Sequence, residues 1–161
     1  MIRQLRIDDR LVHGEVVVLW VSNLGVNTII IADDEYASNP INAMTANLIK
    51  PKNVNLHLKK IVDALDYIND PSHEKEKIFV VCGNAQNALK LVEGCEGITE
   101  VNVGAMRHSP GKQQVNLKVF VDHQDVEDLK KIASLGRVIY QQTKPDQKRV
   151  TLQEMLDKVK L

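Results

Sequence analysis

The stretch Arg6-Ile7-Asp8-Asp9-Arg10-Leu11-Val12-His13-Gly14-Glu15-Val16-Val17-Val18-Leu19-Trp20 leaves an apolar, strand-like segment, crosses a turn dense in charge and enters an apolar helical pattern. Ile2 to Ile7 reads as the strand. Leu11 to Leu24 reads as the helix, because Val12, Val16 and Trp20 recur on one face, and Gly25 supplies a stop signal. A strand-to-helix turn is where α/β chains usually bind ligands. His13 suits nucleophilic or acid/base work because an imidazole titrates near neutral pH, and the Arg10 guanidinium suits a two-pronged grip on phosphate. The composition of the turn points to phosphate chemistry on a histidine.

Outward from that turn, strand and helix patterns alternate. Asn27 to Asp33 contains the β-branched run Ile29-Ile30-Ile31, expected of a strand buried on both faces. Asn39-Pro40 starts a helix that runs to about Lys50, where Pro51 ends it. Val54, Leu56 and Leu58 alternate with polar residues, which predicts a half-exposed strand toward a sheet edge. A helix over Lys59 to Ile68 precedes a solvated loop, Asn69 to Lys77. Then come a strand at Ile78 to Val81, a helix over Ala85 to Val92 and a strand at Ile98 to Val103 closing on Gly104. A polar loop from Ala105 to Gln114 leads to a strand at Val115 to Val121. Asp122 caps a helix from Gln124 to Leu135, stopped by Gly136, and a last strand at Val138 to Gln141 precedes a helix over Thr151 to Val159. The alternation predicts one α/β domain over residues 1–161, an open, mostly parallel β-sheet with helices on both faces. Its site is expected at the turn after the first strand, meeting the turns near Asp33-Asp34, Gly83-Asn84 and Gly104-Ala105.

Composition excludes several classes. Lys+Arg and Asp+Glu both number 21, so the net charge is zero and the basic footprint needed for nucleic acid is missing. Hydrophobic residues at 43% with charged residues at 26% describe an ordinary globule. Cys82 and Cys95 form no CxxC pair, so reduced thiols in a cytoplasmic protein are expected. Neither a signal peptide nor an apolar run of bilayer length is seen. His57, His73 and His123 fall on dissimilar elements, so no metal is expected. The Gly-Lys of Gly111-Lys112 does not make a nucleotide loop, since Gln113 follows where Ser or Thr is required.

The run Arg6 to Trp20 resembles the amino-terminal signature of the mannose/fructose/sorbose family of sugar phosphotransferase IIB subunits. The likeness continues through Ala32-Asp33-Asp34, Val101-Asn102-Val103-Gly104, Gly111-Lys112-Gln113-Gln114 and Pro145-Asp146, and so spans the chain. The resemblance implies the same α/β fold, phosphorylation of the histidine before the glycine, here His13, and no cofactor. It implies a phosphocarrier that takes phosphate from a phosphohistidine on a IIA partner and yields it to a sugar entering through membrane IIC and IID subunits. The protein would then be cytoplasmic and peripherally associated with that complex. Together with Val121 to Asp125 and Asp146-Gln147-Lys148, these segments look most like subunits serving N-acetylgalactosamine or galactosamine, with mannose, fructose and sorbose the other family sugars. The alternative is a phosphorylation-dependent regulatory or binding module of the same fold.

Around His13 the roles stay open. Arg10 either holds phosphoryl oxygens or pairs with an acid. Asp8 or Asp9 fixes the imidazole tautomer, orients Arg10 or caps the helix. Arg6 is a phosphate-binding candidate or a surface charge, and Gly14 contributes backbone to an anion site at the helix start. Arg107, His108 and Lys112 are candidates for phosphate or partner contact, against a plain solvated loop. Two positions depart from the family pattern. Glu15 stands where relatives usually have Gln and is expected to point away from His13, while Gly104-Ala105 stands where many have two glycines.

Overall fold

Continuous β-branched and aromatic runs become the central strands, because a strand covered on both faces needs apolar side chains at every position. The computed structural model describes residues 1–161. In chain order the elements are β1 (Ile2–Asp8), α1 (Gly14–Leu24), β2 (Thr28–Ala32), α2 (Asp34–Ala37), α3 (Pro40–Ile49), β3 (Asn55–Lys59), α4 (Ile61–Asn69) and β4 (Ile78–Cys82). They continue with α5 (Ala85–Gly94), β5 (Glu100–Ala105), β6 (Gln113–Gln114), β7 (Phe120–Val121), α6 (His123–Ser134), β8 (Val138–Gln141), β9 (Val150–Thr151) and α7 (Leu152–Leu156). Seven strands form one open sheet in the order β3-β2-β4-β1-β5-β8-β9. All pairs are parallel except β8 with β9.

The two faces of the sheet are unequal. Leu5, Ile7, Ile30, Val80, Val101 and Val103 pack with α4, α5, α6 and α7, whereas Ile29, Ile31, Phe79 and Val81 pack with α1 and α3. On this second face the apolar cover stops at β4. Across β1, β5 and β8 it is replaced by buried Gln4, Arg6, Asn102 and Tyr140. They satisfy one another: the Gln4 amide donates to the Tyr140 hydroxyl at 2.8 Å, and Asn102 Oδ1 accepts from the Gln142 N–H at 3.0 Å. No buried side-chain nitrogen or oxygen lacks a partner.

Expected punctuation is present where the chain turns. Asn39 caps α3 with Pro40 following, Asp122 and Asp125 form a reciprocal capping box on α6, and Gly25 and Gly136 adopt left-handed φ of 64° and 88°. Four expectations are corrected. The first helix begins at Gly14 rather than Leu11, because Leu11 takes a left-handed φ of 55° that no helix accommodates. Val115 to Val121 is not one strand, since Asn116 Oδ1 accepts from the N–H groups of Lys118 and Val119 and folds the segment into a turn, leaving only Phe120–Val121 to pair with Gln113–Gln114. The two-residue strand β9, too short to show alternation, pairs antiparallel with β8, and α7 stops at Leu156. The Asn69 to Lys77 segment is partly packed: His73 stacks on Tyr67 with centroids 3.7 Å apart, and the Tyr67 hydroxyl donates to Glu76.

Candidate functional site

The turn between β1 and α1 is pinned from below. Leu11 N–H closes on the Asp8 carbonyl at 3.0 Å, and the buried side chains of Leu11 and Val12 enter the cluster beneath α1. Holding a non-glycine residue at positive φ costs about 1–3 kcal/mol, so the buried Leu11 side chain and its neighbours must over-determine the turn. The result is a crest on which His13 is exposed while Leu11 and Val12 anchor it from below.

His13 is exposed and is itself the N-cap of α1. Its Nδ1 accepts from the Glu15 N–H at 3.3 Å, so the neutral ring carries its lone pair on Nδ1 and its proton on Nε2. The nitrogen that carries the lone pair therefore faces the helix start, where free backbone N–H groups and the dipole favour an anion. A Cβ built on Gly14 would meet nothing within 4 Å beyond its chain neighbours, so the backbone at the helix start faces open space.

The same turn begins in a buried ion-pair cluster. Asp8 is fully buried and receives Arg10 Nε and Nη2 at 2.9 Å each and Arg6 Nε at 3.3 Å. Arg6 is also fully buried, which corrects its reading as a surface charge or a phosphate ligand. Its guanidinium donates to the carbonyls of Gln142 and Thr143 at 2.9 and 3.2 Å and lies 4.8 Å from the centre of the Trp20 ring. Burial draws the Arg6 pKa below its ordinary value against the opposing charge of Asp8. The hydrogen bond that Arg10 donates to Asp8 raises its own pKa. A Cβ on Gly104 would overlap the Arg6 guanidinium, so this glycine makes room for a charged group rather than for the ligand loop.

Neither acid touches the imidazole. Asp8 orients Arg10, and Asp9 accepts from Arg107 Nε at 2.8 Å and from the Arg107 N–H at 2.7 Å, so neither fixes the tautomer and neither caps the helix. Glu15, expected to point away from His13, directs its carboxylate at two cations, 3.6 Å from Arg10 Nη1 and 3.8 Å from Lys144 Nζ. Lys144, in the turn after β8, escaped sequence reasoning. Its only signal was a lysine before Pro145 at the carboxyl end of a strand.

The remaining candidates gather beside the crest rather than on it. A cleft of about 270 Å³ is lined by Asp9, Leu11, Asp33, Gly83, Asn84 and the loop carrying Arg107 and Lys112, so the turns after β1, β2, β4 and β5 do meet at one edge. Arg107 stays exposed, and His108 packs edge-on against Phe120 with centroids 5.3 Å apart. Lys112 is not free to meet a partner, because its ammonium is 2.8 Å from Asp125 at the start of α6. Burial opposes the Asp125 charge, yet the hydrogen bonds from Lys112 and Gln86 outweigh it and hold its pKa below the ordinary carboxylate value. Burial pushes the Cys82 thiol up to about 12, which removes it as a nucleophile. No group of three His, Cys, Asp or Glu side chains could hold a metal ion, and no helix is long and apolar enough to cross a membrane.

The family described as "PTS system sorbose subfamily IIB component" matches residues 2–161. The N-acetylgalactosamine-specific phosphotransferase enzyme IIB component 1 of Escherichia coli K12 is 37% identical over 145 residues, 89% of this chain and 91% of that protein. The mannose-specific EIIAB component of the same organism is 35% identical over 156 residues, 95% of this chain, which spans 48% of that longer protein. Among solved structures, the IIBSor domain of the sorbose permease from Klebsiella pneumoniae superposes with a TM-score of 0.93 at 24% identity, covering 99% of this chain and 98% of that domain. The Escherichia coli N-acetylgalactosamine-specific IIB component 1 superposes with a TM-score of 0.86 at 34% identity, covering 94% of this chain and 99% of that one.

Proposed function

The chain belongs to the sorbose subfamily of phosphotransferase-system IIB components, and on that premise we propose that it relays a phosphoryl group from a phosphohistidine of a IIA partner, through His13, to a sugar delivered by membrane IIC and IID subunits. The observation that carries this reading is the exposed imidazole whose Nδ1 bears the lone pair at a helix start, in a turn that also carries an arginine held by a buried acid. Nδ1 attacks phosphorus in line as the donor P–N bond breaks, and the electron pair returns to the donor imidazole. The Glu15 N–H that Nδ1 releases, with its neighbours in the first turn, then donates to phosphoryl oxygens. Such a transfer needs positioning and charge stabilisation more than covalent help. Arg10 supplies charge, and Asp8 keeps it pointed. Incubation with phosphorylated IIA donor tests the relay: an acid-labile, base-stable phosphate on this chain is expected, and none would sink it.

For the sugar we favour N-acetylgalactosamine, supported by the segment likenesses above and by the relative at 37% identity. Phosphorylated protein supplied with the IIC and IID subunits should phosphorylate it faster than mannose or sorbose. Equal or inverted rates would remove that preference.

Arg10→Lys should lose about tenfold or more in transfer rate, the effect of weakening one charge-assisted contact of about 1.5–3 kcal/mol. Lysine keeps one charge but cannot give two bonds to Asp8 while offering a third nitrogen upward. Quenched-flow transfer from the donor measures this, and an unchanged rate would confine Arg10 to its partnership with Asp8.

Direct transfer between two histidines also forces the donor to cover the His13 edge. Titrating isotope-labelled protein with IIA should shift resonances of the β1–α1 turn, Asp33-Asp34 and Arg107. Arg107→Glu should slow association and weaken its salt dependence, since rim charges act mainly on encounter rate. Shifts centred instead on Asn69 to Lys77 would move the docking face to the far sheet edge.

A further inference from the structure

We propose that Lys144 is the second cation of the phosphoryl site and that the Glu15 carboxylate is its resident anion, displaced when His13 is phosphorylated. This rests on the assignment of His13 as the phosphoryl carrier. Glu15 is tied to the nucleophile by its own backbone, whose N–H caps His13 Nδ1 at 3.3 Å. Its side chain lies between two cations from opposite ends of the chain, 3.6 Å from Arg10 Nη1 and 3.8 Å from Lys144 Nζ. The anionic position bounded by Arg10 and Lys144 is therefore filled by a side chain whose own backbone N–H bonds His13 Nδ1.

The geometry separates the permanent acid from the exchangeable one. Asp8 is buried and holds Arg10 through two bonds of 2.9 Å, leaving Nη1 as the guanidinium nitrogen directed at Glu15. The Glu15 contacts are too long for hydrogen bonds, and its side chain is 39% exposed beside a Lys144 that is 49% exposed. Exposed pairs of this kind contribute little. A phosphoryl group brings nearly two negative charges and three acceptor oxygens, so it outcompetes one loosely held carboxylate. Lys144 is kept within reach by the buried cluster, because Arg6 clamps the carbonyls of Gln142 and Thr143 immediately before it.

The arrangement has a direction. Arg6, Arg10 and Lys144 face Asp8 and Glu15, which leaves one net positive charge before transfer, so a phosphoryl group carrying nearly two negative charges overcompensates it and leaves Glu15 repelled and without partners. Glu15 thus raises the energy of the phosphorylated form and makes the chain a readier donor to the next acceptor, while Lys144 lowers it.

The test is the equilibrium of phosphoryl exchange with phosphorylated IIA donor, with inorganic phosphate titrated separately onto the unphosphorylated protein by NMR. Glu15→Gln should shift the exchange toward the phosphorylated chain by about fivefold or more and tighten phosphate binding, whereas Lys144→Gln should do the opposite. Lys148→Gln removes a lysine from the same groove that Glu15 does not contact and should change neither. If the wild-type chain is labelled normally but neither Glu15→Gln nor Lys144→Gln alters the exchange or the phosphate titration, the proposal is overturned while the relay through His13 stands. If nothing is labelled, the relay fails and the proposal falls with it, an outcome distinct from normal labelling that neither variant alters.

Discussion

His13→Ala will accept no phosphate, and the chain will still fold. The side chain stands on the crest of the β1–α1 turn, exposed, with one hydrogen bond, and the turn is held from below by Leu11 and Val12. What alanine removes is the N-cap of α1 together with the nitrogen proposed to accept the phosphoryl group. Loss of a cap costs about 0.5–2 kcal/mol, which at this chain length lowers the melting temperature by a few degrees. The two losses are separable, since His13→Asn restores a capping oxygen without a nucleophile. Labelling with phosphorylated donor and thermal melting should be read together: both variants should be unlabelled, and the asparagine variant should melt closer to wild type. Full labelling of His13→Ala would send the search to His108, the other exposed histidine near that edge.

Asp8→Ala will be the most destabilising single change in the turn. The side chain is fully buried and is the one carboxylate facing both Arg6 and Arg10. Its removal leaves the Arg6 guanidinium buried with two carbonyl acceptors and no counter-charge. Breaking a buried pair by deleting one partner costs about 3–5 kcal/mol, which for a chain of this size lowers the melting temperature by about 6–20 °C. Transfer should fall as well, because Arg10 loses both bonds that aim it. Denaturant unfolding measures the first effect and donor labelling the second. A stability within about 1 kcal/mol of wild type would mean that water enters the cluster and replaces the acid. Arg6→Met is the informative companion. Removing the other partner leaves Asp8 with Arg10, so the damage should be smaller, and a hydrophobic replacement can be neutral where a deletion is not.

Apart from the short elements α2, β6, β7 and β9, element types and their order were legible in the sequence because they rest on local patterns. Alternating and continuous apolar runs, Asn39-Pro40, Asp122 and the glycines at 25 and 136 act through backbone geometry within a few residues, and each acts as expected. So did the convergence of the turns at one sheet edge, which follows from parallel strands alone. The start of α1 was not legible, since Val12, Val16 and Trp20 keep the same spacing whether or not Val12 is helical. The left-handed Leu11 is imposed by what its side chain buries against.

The sequence by itself determined the α/β class, the family signature from Arg6 to Trp20, and the place of His13 between a strand and a helix. Only the tertiary structure decided what the charges do. Arg6 is buried because Gly104 on a neighbouring strand leaves space for its guanidinium and Asp8, Gln142 and Thr143 satisfy it. Asp8 serves the arginines and Asp9 serves Arg107, so the imidazole is oriented by the backbone of Glu15 alone. Lys144 reaches Glu15 because β5 carries β8 to the same side of β1. Periodicity records which face of an element is apolar, but the energy of a charge depends on its neighbours and its distance from water. Those are set by strand order and by residues far away in the chain.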